Sequence, residues 1–405
     1  MPVSESPASW LTPSLLEKVA GGPVRDFEAK PLGAGDNFAS AALRVRLTAA
    51  DGKVQNLIAK RPLPPEVVDV YYPIRESFDV EGRVYAEILP PVHELLRSVG
   101  RDRPPIAPRM VHREPEPEPS LFFEDISFQG FRLADRASSL DADHVRLVMR
   151  ALARLHAAGS VLLHRQPALF DNLPRMVCEE HDTFVSGMLE KGMARFLRHA
   201  EQWPEELCRR TVAKLRRLEP GCKQRLFAAH RPDPQGFNVA LHGDLWTGNM
   251  LFKYGQDGKP AEVRLIDYQI STWGSPCSDL MYFFPTVSGE VRLRRDDMLA
   301  EYHDELSACL RELSAPRVPT LAELQAEMRR RGFVEVMHTM GCTHIIMAPH
   351  SVGITFDNIV DLHTGDGPHP RDLALDQDAH KKVAKQFFAA WDREGLLDSL
   401  LEQDQ

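Results

Sequence analysis

Residues 240–280, ALHGDLWTGNMLFKYGQDGKPAEVRLIDYQISTWGSPCSDL, constrain the fold more than any other stretch of the chain. MLFKY and EVRLIDY are strand-like runs, and the polar segment between them contains Asp257-Gly258, a hairpin turn pair. A hairpin brings its two ends together. Asn249 precedes the first run and Asp267 closes the second, so residues 18 apart in sequence converge as one amide oxygen and one carboxylate. Hard oxygen ligands of this kind suit Mg²⁺, which takes one or two carboxylates and completes its shell with substrate phosphates. Asp244, in a loop with His242 and Gly243, is a second carboxylate near the same point, free to accept a proton from an alcohol.

Upstream, AALRVRL (41–47) alternates, AADGK turns and VQNLIAK (54–60) resumes, which predicts a β-hairpin ending in Lys60. PLGAGDNFAS (31–40) is a glycine-containing turn ahead of it. From Glu76 the pattern is helical, with Phe78, Tyr85, Ile88 and Leu89 on one face and Glu81 on the same face. A carboxylate among inward-facing apolar residues requires a cation, and Lys60 is the candidate. The proline-rich, charged stretch 101–120 is expected as an exposed loop with one short strand. LFFEDI (121–126) reads as a buried strand leaving a first lobe. The boundary is placed at Asp125, dividing the chain into 1–125 and 126–405. Helical periodicity returns at Val145, Met149, Leu152 and Leu155; residues 166–230, 295–313, 321–338 and 378–402 also read as helical.

Composition narrows the class. The chain has 405 residues, 43% hydrophobic and 26% charged, which excludes a disordered or fibrous protein. Its net charge of −9 has the wrong sign for a nucleic-acid binder, so an anionic cofactor would need a local basic site. The six cysteines form no CxxC pair and read as the reduced thiols of a cytoplasmic protein. No stretch has the length and apolarity of a membrane span, and neither end carries a leader or lipidation pattern.

The order Asp, four residues, Asn, hairpin, Asp resembles the catalytic and metal loops of the protein-kinase-like fold, with HGDLWTGN and IDY in the corresponding places. HGD in place of HRD, and DYQ in place of DFG, are the forms seen in aminoglycoside phosphotransferases and choline kinases. FEDISFQGFRLADR, HGDLWTGNMLF, IDYQIS and WGSPCSDLMYFF are similar to the ecdysteroid kinase-like family. The resemblance implies an α+β, two-lobed protein-kinase-like fold: a small antiparallel-sheet N-lobe and a larger, mainly helical C-lobe. ATP and Mg²⁺ are the implied cofactors. Lys60 would bind the α/β-phosphates and Glu81 would be its ion-pair partner. Gly33, Gly35 and Asn37 belong to the loop that would cover the phosphates, although GAGDN lacks a third glycine. The backbone of Glu124, Asp125 and Ile126 would contact adenine, with Leu121 and Phe122 building its apolar slot. Asp244 would be the catalytic base, Asn249 and Asp267 the metal ligands, and Asp279 a buried brace for the catalytic loop.

The implied acceptor is a small molecule, a hydroxylated steroid such as an ecdysteroid or another lipophilic alcohol, with no nucleic acid involved. Alternatives are a kinase for an amino alcohol, aminoglycoside or foreign alcohol, and a catalytically silent nucleotide- or hormone-binding protein of the same fold. His242 reads as a packing residue of its loop and His156 as a satisfied core histidine. Cys277, Cys309 and Cys342 read as buried small hydrophobes. Tyr282, Phe283 and Phe284 read first as helix core and second as an acceptor wall, whereas the apolar run 343–356 reads as a substrate wall and equally as a buried core helix.

Overall fold

The computed structural model describes residues 8–32, 40–62, 74–116, 119–135, 139–175, 185–354 and 369–403. The N-terminal part is a five-stranded antiparallel sheet of order β1-β2-β3-β5-β4. Its strands are β1 (Val24–Pro31), β2 (Ser40–Ala49), β3 (Val54–Pro62), β4 (Met110–Glu114) and β5 (Ser120–Glu124). β2 and β3 form the predicted hairpin. Gly52 in its turn has φ 86°, a left-handed conformation that glycine enters without steric cost. Lys60 lies near the end of β3, paired with Ala42 on one side and Leu121 on the other.

Alternation along the strands sends side chains to two separate cores. On the outer face Leu43, Val45, Leu47, Leu57, Ala59 and Phe122 pack beneath the helix Pro13–Ala20 and Trp10. That helix starts where Thr12 accepts the Leu15 N–H and Pro13 fixes the first turn, and it ends at Gly21 with φ 73°. On the inner face Leu121 and Phe123 join the larger core, which continues into the helical part of the chain.

The segment Ile74–Arg83 is helical, widens into a π-turn over Val84–Ile88 and continues as Leu89–Ser98. The cause is local: Pro90 and Pro91 have no N–H to donate to the preceding turn, so they are accommodated only where a helix restarts. Phe78, Tyr85, Ile88 and Leu89 are buried together with Glu81, as their spacing predicts.

The C-terminal part is mainly helical. The long helix Ala142–Arg165 starts at an N-cap in which Asp141 accepts two backbone N–H groups. Against it lie a three-stranded sheet, β6 (Phe131–Leu133), β8 (Met250–Tyr254) and β9 (Pro260–Leu265), and a two-stranded sheet, β7 (Val239–Leu241) with β10 (Thr272–Gly274). A Cβ on Gly159 would come within 2.6 Å of the Ala240 Cβ and 2.9 Å of its backbone N, so glycine lets the helix touch β7. This two-lobed α+β arrangement is the fold that the sequence motifs imply.

Two of the predicted long helices are each two helices. Leu321–Arg330 is followed by a break and then Phe333–Gly341, and Asp378–Glu394 by Leu396–Glu402. Gly395 makes the second break, with φ 62° at the helix C-cap. At the first, the guanidinium of Arg331 reaches the carbonyls of Ala229 and Arg231, drawing the chain into a corner.

Candidate active site

The hairpin of β8 and β9 sets the site. Its register, Met250 opposite Leu265, is extended by a hydrogen bond from the Ile266 N–H to the Asn249 carbonyl at 3.0 Å. Asp267 follows with φ 69°, a left-handed conformation that aspartate tolerates better than most side chains. Asn249 donates its Nδ2 to both the carbonyl and Oδ2 of Asp244, each at 2.9 Å. With the amide nitrogen committed, its oxygen is the atom left for another ligand.

Lys60 comes from the other part of the molecule. Its Nζ donates to Glu81 Oε1 at 3.0 Å, to Glu81 Oε2 at 3.2 Å and to Asp267 Oδ1 at 3.1 Å. Burial disfavours the ammonium, but Asp267 and Glu81 together overcome it and hold Lys60 charged above the ordinary lysine range. Burial pushes Glu81 upward, to about 7, aided by the charge of Asp267 and opposed by Lys60. One ammonium thus serves two carboxylates, Glu81 buried and Asp267 half-buried, with Asp244 a third nearby: the cluster carries an excess of negative charge.

Asp244 is buried, and burial followed by repulsion from Asp267 raises its pKa from 3.8 to about 6. Opposing that rise are hydrogen bonds from Tyr282, Asn249 and Trp246. The Tyr282 hydroxyl donates to Asp244 Oδ1 at 2.7 Å. Tyr282 therefore belongs to the site, a contact its place in the apolar run DLMYFF concealed. The signal available in the sequence was chemical: a tyrosine hydroxyl set in an apolar run needs a partner.

The loop carrying Asp244 is braced from behind. Asp279 is buried and accepts the N–H of His242 at 2.8 Å and of Gly243 at 2.9 Å, and it meets His156 Nε2 at 3.1 Å. Burial alone would raise its pKa, but the hydrogen bond and charge interaction with His156 and the loop N–H groups bring it below the ordinary value. His156 uses its other nitrogen on the Tyr302 hydroxyl, at 2.7 Å, and so is the satisfied core histidine expected. His242 accepts the Asp244 N–H at Nδ1 and donates Nε2 to the Ile266 carbonyl, a neutral bridge between the segments that follow β7 and β9. Gly243 has φ 86°, and a Cβ there would lie 2.3 Å from the Ile270 carbonyl oxygen.

The strand β5 divides the residues expected around adenine. Leu121 and Phe123 face the inner core, and Phe123 packs 4.7 Å from Tyr85 and beneath the Lys60 ammonium. Phe122 faces outward, its ring 6.0 Å from Trp10 and 6.0 Å from His112. Leu121 and Phe122 thus do not wall one slot, because neighbours in a strand point to opposite faces. The Glu124 N–H donates to Arg109 and the Asp125 N–H to Asn56, while the Asp125 carboxylate binds Arg44 and caps Ser127. Gly33, Gly35 and Asn37 lie outside the described residues, as does Cys178. The other five cysteines are free and buried, and burial pushes the Cys277, Cys309 and Cys342 thiols up to about 12.

The sequence profile of the ecdysteroid kinase-like family matches residues 34–315, a span that includes Lys60, Glu81, Asp244, Asn249, Asp267 and Asp279. The chain belongs to the ecdysteroid kinase-like family. Like that family, it is a small-molecule phosphotransferase acting on a hydroxyl acceptor. No curated protein matches the chain. Solved structures similar to this ecdysteroid kinase-like chain include an amicoumacin kinase in complex with AMP-PNP, Ca²⁺ and Ami, 13% identical, with 80% of this chain and 92% of that one covered and a TM-score of 0.34. A glucosamine kinase in complex with glucosamine, ADP and phosphate is 12% identical, with coverages of 100% and 99% and a TM-score of 0.24. A second glucosamine kinase structure is 13% identical, with coverages of 96% and 85% and a TM-score of 0.28.

Proposed function

We propose that the chain is an ATP- and Mg²⁺-dependent kinase that transfers the γ-phosphoryl group to a hydroxyl of a steroid-like acceptor, an ecdysteroid by family resemblance. The observation that carries this reading is the convergence of Lys60 and Glu81, from the sheet and its helix, on Asp267, with Asp244 and Asn249 hydrogen-bonded at the same hairpin base. The lobe division is placed at Asp125.

The donor set fits a divalent cation held partly by substrate. No group of three or more His, Cys, Asp or Glu side chains suited to a metal is present among the described residues. The ligands offered are the Asn249 amide oxygen and the Asp267 carboxylate, in a cluster with excess negative charge. Mg²⁺ bound there would neutralise charge on the phosphate oxygens of the nucleotide. Lys60 would bind the α/β-phosphates. At the hinge, the Ile126 N–H would face adenine, since the N–H groups of Glu124 and Asp125 are used within the sheet. Leu121 would line the apolar slot with Phe123, its neighbour on the inner face. Gly33, Gly35 and Asn37 are proposed for the loop over the phosphates.

Asp244 would orient the acceptor hydroxyl and take its proton as the alcohol oxygen bonds to the γ-phosphorus and the bond to the β–γ bridging oxygen breaks. The products are the phosphate ester and ADP. The free thiols accord with a reducing, cytoplasmic compartment, and no helix among the described residues is long and apolar enough to cross a membrane.

The test is Mg²⁺-dependent ATP consumption with mass detection of a phosphorylated product across ecdysteroids, other hydroxylated lipids, amino alcohols and aminoglycosides, with Asp244→Asn as control. A phosphorylated steroid that disappears in the variant supports the reading. A phosphorylated amino alcohol replaces the acceptor, and ATP binding without any turnover refutes the kinase activity.

A further inference from the structure

A carboxylate offers about four lone-pair sites. On Asp244 one is used by Asn249 Nδ2 and one by the Tyr282 hydroxyl, and the Trp246 side chain hydrogen-bonds to the same carboxylate. These donors fix the direction from which an alcohol can still reach the base. Tyr282, on the helix Cys277–Phe283, is itself backed by another polar side chain: the His338 ring lies 4.1 Å from the tyrosine ring, centroid to centroid.

His338 is 5% exposed, within the buried helix Phe333–Gly341. Its Nδ1 meets the Cys342 sulfur at 3.5 Å, while its Nε2 is buried without a hydrogen-bond partner. The Nε2 of His230, whose ring lies 6.3 Å away, is in the same condition. A buried polar atom left unpaired is costly, and a ligand able to complete the bond would remove that cost. Burial, reinforced by His230, keeps His338 neutral, and no carboxylate opposes this. On the side of the base that Tyr282 occupies, the described groups are then a phenol, an uncharged imidazole and an un-ionised thiol, while the other carboxylates of the cluster, Glu81 and Asp267, are paired with Lys60.

We propose that Tyr282 is a positioning residue for Asp244, and that His338 offers its Nε2 to a second oxygen of an uncharged, multiply oxygenated acceptor. This rests on the kinase reading above. Tyr282 holds Oδ1 so that the remaining lone pair faces the incoming hydroxyl, and His338 sets the acceptor's register by gripping it away from the reacting oxygen.

The experiment uses the full chain with ATP and Mg²⁺, an ecdysteroid as the uncharged probe and glucosamine as a cationic one. Tyr282→Phe is expected to lower kcat about ten- to a hundredfold, with the KM for ATP within about twofold of the parent. His338→Leu raises the KM for the ecdysteroid about tenfold or more, and His338→Gln, which keeps a side-chain amide for the hydrogen bond, restores it to within about threefold. An unaltered acceptor KM in His338→Leu, a glutamine variant as impaired as the leucine one, or glucosamine used as efficiently as the ecdysteroid overturns the proposal while leaving the kinase reading in place. ATP hydrolysis with neither probe phosphorylated overturns the acceptor assignment alone. Absence of both hydrolysis and phosphorylation in the parent protein removes the kinase reading and this proposal with it.

Discussion

Lys60 and Asp267 stand 207 residues apart in sequence and 3.1 Å apart in space. The contact joins a strand of the N-terminal sheet to the end of the catalytic hairpin, and Glu81 shares the same ammonium. The charges are therefore interdependent, and removing them one at a time gives unequal results.

Asp267→Asn retains a side chain that tolerates φ 69° and removes only the charge. Turnover should fall about a hundredfold or more, with the melting temperature within a few degrees of the parent because Lys60 keeps Glu81. Steady-state kinetics and thermal melts check this together; retained turnover refutes the metal-ligand assignment.

Lys60→Met should be worse for stability than for folding pattern. It leaves the buried Glu81 and the half-buried Asp267 without their cation, a loss on the order of 3–5 kcal/mol. Adding Glu81→Gln should recover part of that loss without restoring activity. A urea-unfolding double-mutant cycle measures the coupling, and strict additivity would show that the pair contributes no interaction.

Asp279→Asn should loosen the catalytic loop. The carboxylate accepts two loop N–H groups and faces His156, and an amide can reproduce only part of this. A stability loss of about 2–4 kcal/mol is expected, together with faster hydrogen exchange at His242 and Gly243. Unchanged exchange at those amides would remove the bracing role.

Acid should weaken the fold through its buried histidines. Burial lowers His338 to about 3 and His230 and His380 to about 4, whereas an unfolded histidine titrates near 6.5. Between those values the unfolded chain binds more protons than the folded one, so stability is complete above about pH 6.5 and declines as pH falls toward 4 and 3. Unfolding free energies at neutral pH and near pH 5 should differ by about 1–2 kcal/mol per histidine. His380→Gln should flatten the decline.

The catalytic hairpin was legible because its information is local: Asp257-Gly258 dictates the turn, and the turn brings Asn249 and Asp267 to the same end of the hairpin. The Lys60–Glu81 pair was legible for a different reason, since a carboxylate on an apolar helix face is intolerable without a cation. Tyr282 was not, because its partner lies 38 residues away and a tyrosine between Met281 and Phe283 has the periodicity of core. Strand alternation in LFFED could have separated Phe122 from Leu121 without coordinates. The breaks at Arg331–Gly332 and Gly395 were marked by glycines, but the helical period resumes beyond each and hid the interruption.

The helix Ala142–Arg165 touches the catalytic machinery twice within one turn, through His156 on Asp279 and through Gly159 against Ala240. The Gly159 contact lies on β7, just ahead of Asp244, and the His156 contact reaches His242 and Gly243 through the Asp279 carboxylate that accepts their N–H groups. Mechanically the helix is a strut, and the loop is bolted to it at two points. Any motion that opens or closes the cleft must therefore carry base, loop and helix as one rigid piece, so compliance has to come from elsewhere in the chain.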